Sequence, residues 1–540
     1  MDNINKYKSK SISILSFIIF ITLQIITLIP PIVMKNIVDD YIPNKNLNYI
    51  YIGILLFVLI PFIHILIQAI FNYITIVFAR NSGNKLSIDI LKNLINQKKS
   101  FFDNENSIEL ATYASKEAVQ YINFYVSELP KYYGYIITSI IIFILILNYS
   151  VYLALLQLFI IPLAIFPIKR ISKSLEKNIE NVLEYNAVIG QTRADIFKGI
   201  DTIKSLRIED KKIAEVECLN TKISKMWGKI AALDMITGIW ITGFLSMLFT
   251  GLTFGVGSYL IIENIESITI GQLVSIISFS GILYININNI FRTRVEIKKH
   301  DAENSKLFSF LDLVGEENDD KIEINDIENI KINNLNFSYN DSKKAVENFN
   351  FNCKKGDFVG IFGKSGVGKS TIFNLLLKFY DVDDNSIFYN NTDINKINSL
   401  SIRDNITLIS QKFNLFPGTI KYNLNLANPD VSNEEIEEVL NFVKLDEYIK
   451  SLENGILTDI GEAGKLMSGG EMQRLALAQG LLRKNKVLLL DEITSNIDKN
   501  TEKVIKDNIL KLHNTGEYII IAISHNKEFL EDCNKLYEIV

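Results

Sequence analysis

The chain is poor in several residue types, and each scarcity excludes something. It has three cysteines in 540 residues, Cys218, Cys353 and Cys533, scattered and without metal-ligand spacing. That excludes a disulfide scaffold or a zinc ribbon, and the three read as ordinary thiols in a reducing compartment. No excess of basic charge is present: 56 Lys+Arg against 61 Asp+Glu gives a net charge of −5, which disfavours nucleic acid as a partner. Polar content is also too low for disorder, since 48% of residues are hydrophobic and 22% charged. A mean hydropathy of +0.18 is hard to reconcile with a purely soluble enzyme of this length. What is left is a membrane protein carrying a soluble part.

Up to about residue 291, charge is missing from long apolar runs, and a membrane-crossing helix needs about 20 such residues. Runs at about 12–33, 50–78, 134–168, 235–262 and 270–291 qualify. The third is too long for one crossing, and Asn148-Tyr149-Ser150 marks a turn that divides it into 134–148 and 151–168. Six spans are therefore expected in a membrane domain over 1–313, followed by an acidic linker at 314–321. Seven of the nine prolines fall in this half, where neighbouring helices can satisfy the carbonyls they free. The first run is too long for a signal peptide, and Pro30-Pro31-Ile32-Val33-Met34 offers no small-residue cleavage site, so it reads as a retained helix. Lys6, Lys8 and Lys10 precede the first span, Arg80, Lys85, Lys92, Lys98 and Lys99 follow the second, and Lys169 and Arg170 follow the fourth. This bias predicts a multi-pass protein of the cell (inner or plasma) membrane with both termini cytoplasmic. The long connections 80–130 and 169–234 keep helical periodicity with little glycine or proline, so helices are expected to continue far beyond the membrane.

From residue 322 to 540 short apolar strands alternate with helices, an α/β pattern. Gly363-Lys364-Ser365-Gly366-Val367-Gly368-Lys369-Ser370-Thr371 fits a phosphate-binding loop, because it follows the apolar strand Phe358-Val-Gly-Ile-Phe362 and opens a helix. Glycines there let backbone N–H groups turn onto phosphates, Lys369 reaches the β- and γ-phosphates, and Ser370 suits Mg²⁺. Lys486-Val-Leu-Leu-Leu-Asp491-Glu492 reads as a buried parallel strand ending in two acids. Asp491 suits the Mg²⁺ shell, and Glu492, one residue on, suits polarising a water. Ser468-Gly469-Gly470-Glu471 opens another helix, which suits a second anion-binding terminus or a plain cap equally well.

Taken in order, these motifs resemble an ABC exporter half-transporter, a six-span all-α membrane domain fused to an α/β phosphate-loop nucleotide-binding domain. The resemblance covers nearly the whole chain. It implies that Tyr339 stacks on adenine, that Gln411 links Mg²⁺ and water to the membrane domain, and that Ser468-Gly469-Gly470-Glu471 is the signature motif. It further implies that Ser495-Asn496-Ile497-Asp498 contacts the opposite subunit and that His525 is the switch histidine. Ser370, Gln411 and Asp491 become the Mg²⁺ set, Glu492 and His525 the catalytic pair, and ATP the nucleotide. The helices near 101–111 and 199–208 become coupling contacts. Three departures stand out: Glu471 where the family usually has Gln, Gln479-Gly480 where it commonly has Arg-Ala, and a chain that stops soon after His525, at Val540. The last implies a shortened domain or dependence on a partner. Retention of Glu492 and His525 favours a homodimer over a heterodimer.

For the cargo, the spans carry no Asp, Glu, Lys or Arg, which argues against ion-coupled transport. His64, Gln68 and Asn72 form one polar stripe that suits either a substrate cavity or hydrogen bonding between helices. Ser278, Asn288 and Asn289 carry the same two readings, while Gly251-Leu-Thr-Phe-Gly255 suggests close helix packing. His300 and His513 read as surface residues. The expectation is ATP-driven export of an amphipathic peptide, drug or lipid. An ATP-gated channel or regulator on the same scaffold, or one half of a heterodimeric exporter, are the alternatives.

Overall fold

In the computed structural model, residues 10–313, 315–316, 321–339, 344–364, 366–411, 414–461 and 466–539 are described. They fall into two units, Met1–Gln97 with Asn104–Val314, and Lys98–Asp103 with Gly315–Val540. Ser365 and most of the expected linker lie outside the described residues.

The first unit is helical. Its helices of eight residues or more are α1 (Lys10–Ile26), α2 (Ile29–Asn36), α3 (Leu47–Ile95), α5 (Leu129–Tyr149), α6 (Val151–Leu158), α7 (Ile160–Lys198), α8 (Glu209–Gly238), α9 (Ser246–Ile262) and α10 (Ile270–Leu311). A six-residue helix, α4 (Lys99–Asn104), lies between α3 and α5 in the chain. At about 1.5 Å per residue, the 49 residues of α3 reach more than twice the ~30 Å of a bilayer's hydrocarbon core. A large part of that helix therefore extends beyond the membrane, as the periodicity of 80–130 predicts. Among the described residues, Ser11–Tyr41, Leu47–Ile95, Glu109–Tyr149, Glu209–Ile262 and Ile270–Arg294 are long and apolar enough to cross. The remaining expected span, 151–168, falls on α6 and the start of α7, with an interruption at Phe159.

Helix contacts in this unit rest on glycines other than those the sequence pattern suggests. A Cβ on Gly134 would meet Phe20 at 2.3 Å and one on Gly257 would meet Leu273 at 2.3 Å, whereas Gly251 and Gly255 face open space. The close approach of α9 to α10 thus runs through Gly257, and the G-x-x-x-G expectation is corrected: that face points outward. Several buried polar side chains in the bundle are paired, as an apolar solvent favours, although the buried His64 Nε2 has no hydrogen-bond partner among the described residues. Gln157 donates to Thr253 Oγ1 at 2.9 Å and accepts from Tyr284 Oη at 2.7 Å, and Asn286 donates to Thr138 Oγ1 at 3.0 Å. Asp39 caps the start of α10 by accepting from the Gly271 N–H at 2.8 Å, where a negative charge meets the helix's positive end.

The second unit holds two sheets. An antiparallel sheet in the order β2-β1-β4-β5 contains β1 (Asn329–Ser338), β2 (Lys344–Lys354), β4 (Ile387–Tyr389) and β5 (Thr392–Asp393). A parallel sheet in the order β6-β7-β8-β3-β9 contains β3 (Phe358–Gly363), β6 (Ile406–Ile409), β7 (Val487–Asp491), β8 (Ile519–Ile523) and β9 (Lys535–Ile539). Every residue of β7 and β8 is buried, the signature of strands covered on both faces. Helices α11 (Lys369–Leu376), α12 (Gly469–Leu482) and α13 (Lys499–Asn514) follow β3, precede β7 and follow β7. The tips of β3 and β7 therefore carry the loops with the chemistry.

Candidate functional site

The β3–α11 loop owes its path to two glycines. At Gly368, φ is 97° and a Cβ would stand 2.0 Å from the Ala345 carbonyl oxygen; at Gly363 it would stand 2.5 Å from that of Ile539. Only glycine fits these close approaches. Lys369, 6% exposed, donates from Nζ to the carbonyls of Gly363 at 3.0 Å and Lys364 at 2.9 Å, so its ammonium lies in the bowl of the loop. Val367 leans on the hydrophobic core, while Gly366 takes a positive φ of 79° at the exposed tip. Tyr339 donates from its hydroxyl to Thr371 Oγ1 at 3.1 Å, which places the expected base-stacking ring beside the first turn of α11.

At the tip of β7, Asp491 is 6% exposed and hydrogen-bonds Ser370. Burial raises its pKa, the Ser370 hydroxyl pulls it back in part, and the neighbouring charge of Glu492 raises it again. Glu492 adopts φ 51°, a left-handed conformation uncommon outside glycine and asparagine. This kink sends its carboxylate to other partners: Gln411 Nε2 donates to Oε2 at 2.5 Å and His525 Nε2 lies 2.9 Å from Oε1. Three residues expected to act together, Gln411, Glu492 and His525, thus meet at one carboxylate. Strain of this kind concentrates at functional sites.

Ser468 caps α12 in a reciprocal box. Its Oγ accepts from the Glu471 N–H at 3.3 Å, and its own N–H donates to Glu471 Oε2 at 2.7 Å. Glutamate and glutamine both close such a box, which gives the unusual Glu471 a local reason. Gly469 is open, while a Cβ on Gly470 would stand 2.7 Å from the Asn496 carbonyl oxygen, so the signature turn lies flush on the segment Ser495–Asp498. Asp498 caps α13 by accepting from Asn500 and Thr501 N–H at 3.1 and 3.0 Å, and the Thr501 bond holds its pKa down.

Sequence reading missed Gln473. This side chain, 1% exposed, donates to the Glu492 carbonyl at 2.7 Å and to Ser495 Oγ at 3.4 Å, and accepts from the Asn496 N–H at 3.2 Å. It is the bolt between the signature helix and the loop that follows β7. Its signal was an amide whose neighbours one turn on, Ala476 and Leu477, are apolar and buried.

In the helical unit, Gln68 donates to Asn72 at 3.0 Å, so these two pair with each other along α3. His64, one turn earlier, is half-buried, and Ser278 bonds back to the Val274 carbonyl at 3.0 Å. Asn288 does line a cavity, of about 370 Å³, beside Asp234 and Arg292, which form an ion pair at 3.5 Å. A second cavity, about 440 Å³, lies between α5, α6 and α10, walled by Ile140, Phe143, Leu283 and Ile287 with Gln157 and Arg294. His64, Gln68, Asn72 and Ser278 line neither. His300 and His513 are half-buried rather than fully exposed: His300 packs 4.4 Å from the ring of Phe124 and His513 5.8 Å from that of Phe358.

Magnesium takes a few oxygen ligands and leaves the rest to water and phosphate. Ser370 Oγ, the Asp491 carboxylate and the Gln411 amide oxygen are donors of that kind, and no cluster of three His, Cys, Asp or Glu occurs among the described residues. The donor set suits a magnesium ion arriving with its nucleotide.

Known proteins agree with this architecture. The chain is 28% identical over 455 residues to the ATP-dependent lipid A-core flippase of Photorhabdus laumondii, covering 83% of this chain and 77% of that one. It is 27% identical over 553 residues to the lactococcin-A transport/processing ATP-binding protein of Lactococcus lactis, covering 98% and 75%. Its fold matches the structure of a bacterial Atm1-family ABC exporter with ATP bound, at a TM-score of 0.84 and 20% identity, over 98% of this chain and 93% of that one. The ABC transporter transmembrane region matches residues 13–286 and the ABC transporter nucleotide domain residues 346–495. The chain therefore belongs to the ABC transporter family, as an exporter whose membrane helices and ATPase domain share one polypeptide.

Proposed function

We propose that this exporter works as a homodimer with two hydrolytic sites and moves an amphipathic cargo out of the cytoplasm. In this reading ATP lies between Lys369 of one subunit and Ser468 of the other, with Tyr339 against adenine. Ser370, Asp491 and Gln411 hold Mg²⁺, which neutralises phosphate charge. Glu492 takes the proton of the attacking water, held ready by Gln411 and His525. Two bound nucleotides join the ATPase domains, and hydrolysis lets charge repulsion part them; the two states alternate access to the cargo. Both termini are cytoplasmic.

The observation that carries the reading is the Glu492 carboxylate bracketed by Gln411 at 2.5 Å and His525 at 2.9 Å, next to Asp491 and the phosphate loop. A general base must come within hydrogen-bond reach of the proton it takes, and these two contacts fix where the carboxylate stands. The mostly apolar cavity between α5, α6 and α10, with Ser139, Gln157 and Arg294 as its polar side chains, supports an amphipathic cargo. The test is ATPase activity of the purified protein in lipid nanodiscs, titrated with peptides, drugs and lipids. Stimulation by one class names the cargo and supports a sufficient homodimer. ATP binding without any hydrolysis overturns the homodimer and points to a second subunit.

A further inference from the structure

Six residues from the helical half of the sequence, Lys98–Asp103, cluster with the α/β unit. Lys98 Nζ donates to both carboxylate oxygens of Asp381 at 2.7 and 2.8 Å. Lys99 donates to Asn374 Oδ1 on α11 at 3.2 Å and lies over the rings of Phe379 and Tyr380, 5.4 and 5.9 Å from their centroids. The Tyr380 hydroxyl donates to the carboxylate of Asp103. Two lysines and one acid thus grip the stretch that follows the phosphate-loop helix.

Tyr380 has a second set of contacts. Its ring, 8% exposed, stands edge-on to Tyr339, with centroids 5.1 Å apart and planes at 85°. Phe337 completes the cluster, 5.1 Å from Tyr339 and 5.6 Å from Tyr380. Tyr339 is itself 47% exposed, so these edge-to-face contacts and its bond to Thr371 set the plane it presents. Edge-to-face pairs have defined geometry and are worth about 0.5–1.5 kcal/mol beyond burial. A hydrogen bond to a carboxylate is stronger than one between neutral groups. Burial and Asp103 both raise the Tyr380 pKa, so its proton is retained for that bond at physiological pH.

We propose that Tyr380 is a positioning residue that couples the docking of Lys98–Asp103 to the seating of the nucleotide base, through its hydrogen bond to Asp103 and its edge contact with Tyr339. The inference rests on Tyr339 being the base-stacking residue. It makes the segment a sensor of the base, whereas Lys369 and Ser370 meet the phosphates. Coupling of this kind is reciprocal, so a bound base must also tighten the segment.

The test uses the full-length protein in nanodiscs with two probes, ADP and inorganic pyrophosphate, which share a diphosphate and differ in the nucleoside, adenine with its ribose. Asp103→Asn, Tyr380→Phe and the double variant are compared with the unaltered chain and with Tyr339→Ala. Asp103 is exposed, so Asp103→Asn keeps the fold even where a change at Tyr380 does not. ADP affinity is expected to fall about fivefold in either single variant and little further in the double, with pyrophosphate affinity unchanged, because both changes cut one path. Hydrogen exchange of Lys98–Asp103 is expected to slow with ADP, not with pyrophosphate, and to lose that difference in Tyr380→Phe. Equal loss for both probes, or additive losses, overturns the proposal and leaves Tyr380 a plain packing residue. If Tyr339→Ala keeps the full preference for ADP, the base-stacking reading fails and the proposal with it. If Tyr339→Ala abolishes that preference while Asp103→Asn and Tyr380→Phe keep it, only the proposal fails.

Discussion

His525 Nε2 lies 2.9 Å from Glu492 Oε1, and the backbone that brings them together is the left-handed turn at Glu492 itself, φ 51°. An extended residue after β7 would carry its side chain elsewhere. The Glu492 N–H remains bonded to the Ile523 carbonyl at 2.9 Å, so the turn is anchored to the strand that leads to His525. Replacing Glu492 with Gln keeps shape and hydrogen bonding and removes the base. Turnover is expected to fall by about 10²–10⁴-fold, the usual share of a general base, with ATP still bound and the closed dimer trapped. Phosphate release and size-exclusion chromatography with ATP check this; wild-type turnover would remove Glu492 from its role.

Asp491 trades stability for chemistry. Its folded pKa is raised by burial and by Glu492, so the folded chain holds the proton to higher pH than the unfolded chain does. The group's contribution to stability is therefore greatest below the ordinary carboxylate pKa and declines as pH rises through the raised value. Asp491→Asn removes that burden. Without nucleotide the variant is expected to melt at a higher temperature than the parent at pH 7, and the gap should shrink towards pH 4. Magnesium-dependent hydrolysis should be lost. A lower Tm at pH 7 would show that the carboxylate's bond to Ser370 outweighs its burial.

Much of this site was legible because loops that grip phosphate need particular residues at fixed spacing. The phosphate loop, the acids ending β7 and the capped α12 could be placed from glycine, hydroxyl and strand patterns alone. Gln473 was not, because a buried amide declares itself only when its three partners, on the loop that follows β7, are brought to it. The membrane half followed a similar division. Charge-free runs marked where helices form, but which glycines touch depended on helix rotation: Gly257 meets Leu273 and Gly251 meets nothing. Gln68 and Asn72 share a face, as their spacing requires, and satisfy each other's polarity.

Glu471 keeps the reciprocal cap of α12, with Ser468 N–H 2.7 Å from its Oε2, and so places a negative charge beside the expected γ-phosphate position. Glu471→Gln preserves the box and removes the charge. The apparent KM for ATP is expected to fall several-fold while Tm stays nearly constant. The gap between the two proteins should narrow in 1 M salt, where the screening length is about 3 Å. An unchanged or higher KM would mean that Ser468 does not face nucleotide phosphate, which is a direct check on the two-subunit site.

Gly480 explains the second departure from the usual family pattern. It sits inside α12, where alanine is favoured over glycine by about 1 kcal/mol, yet a Cβ there would stand 2.7 Å from Ile409 Cγ1, 3.0 Å from its Cδ1 and 3.1 Å from Thr407 Cγ2. Overpacking of a buried contact costs about 1–3 kcal/mol, so the clash outweighs the helix gain and Gly480→Ala should destabilise the ATPase domain. Ile409→Ala is also expected to destabilise, by about 2–5 kcal/mol, because it opens a cavity. In that background the sign at position 480 should reverse. The methyl then enters space the isoleucine has left, and the helix propensity is gained without the clash. Denaturant midpoints for the parent, both single variants and the double variant close the cycle. If alanine at 480 has the same sign in both backgrounds, the close approach of α12 to β6 is not what selects glycine here.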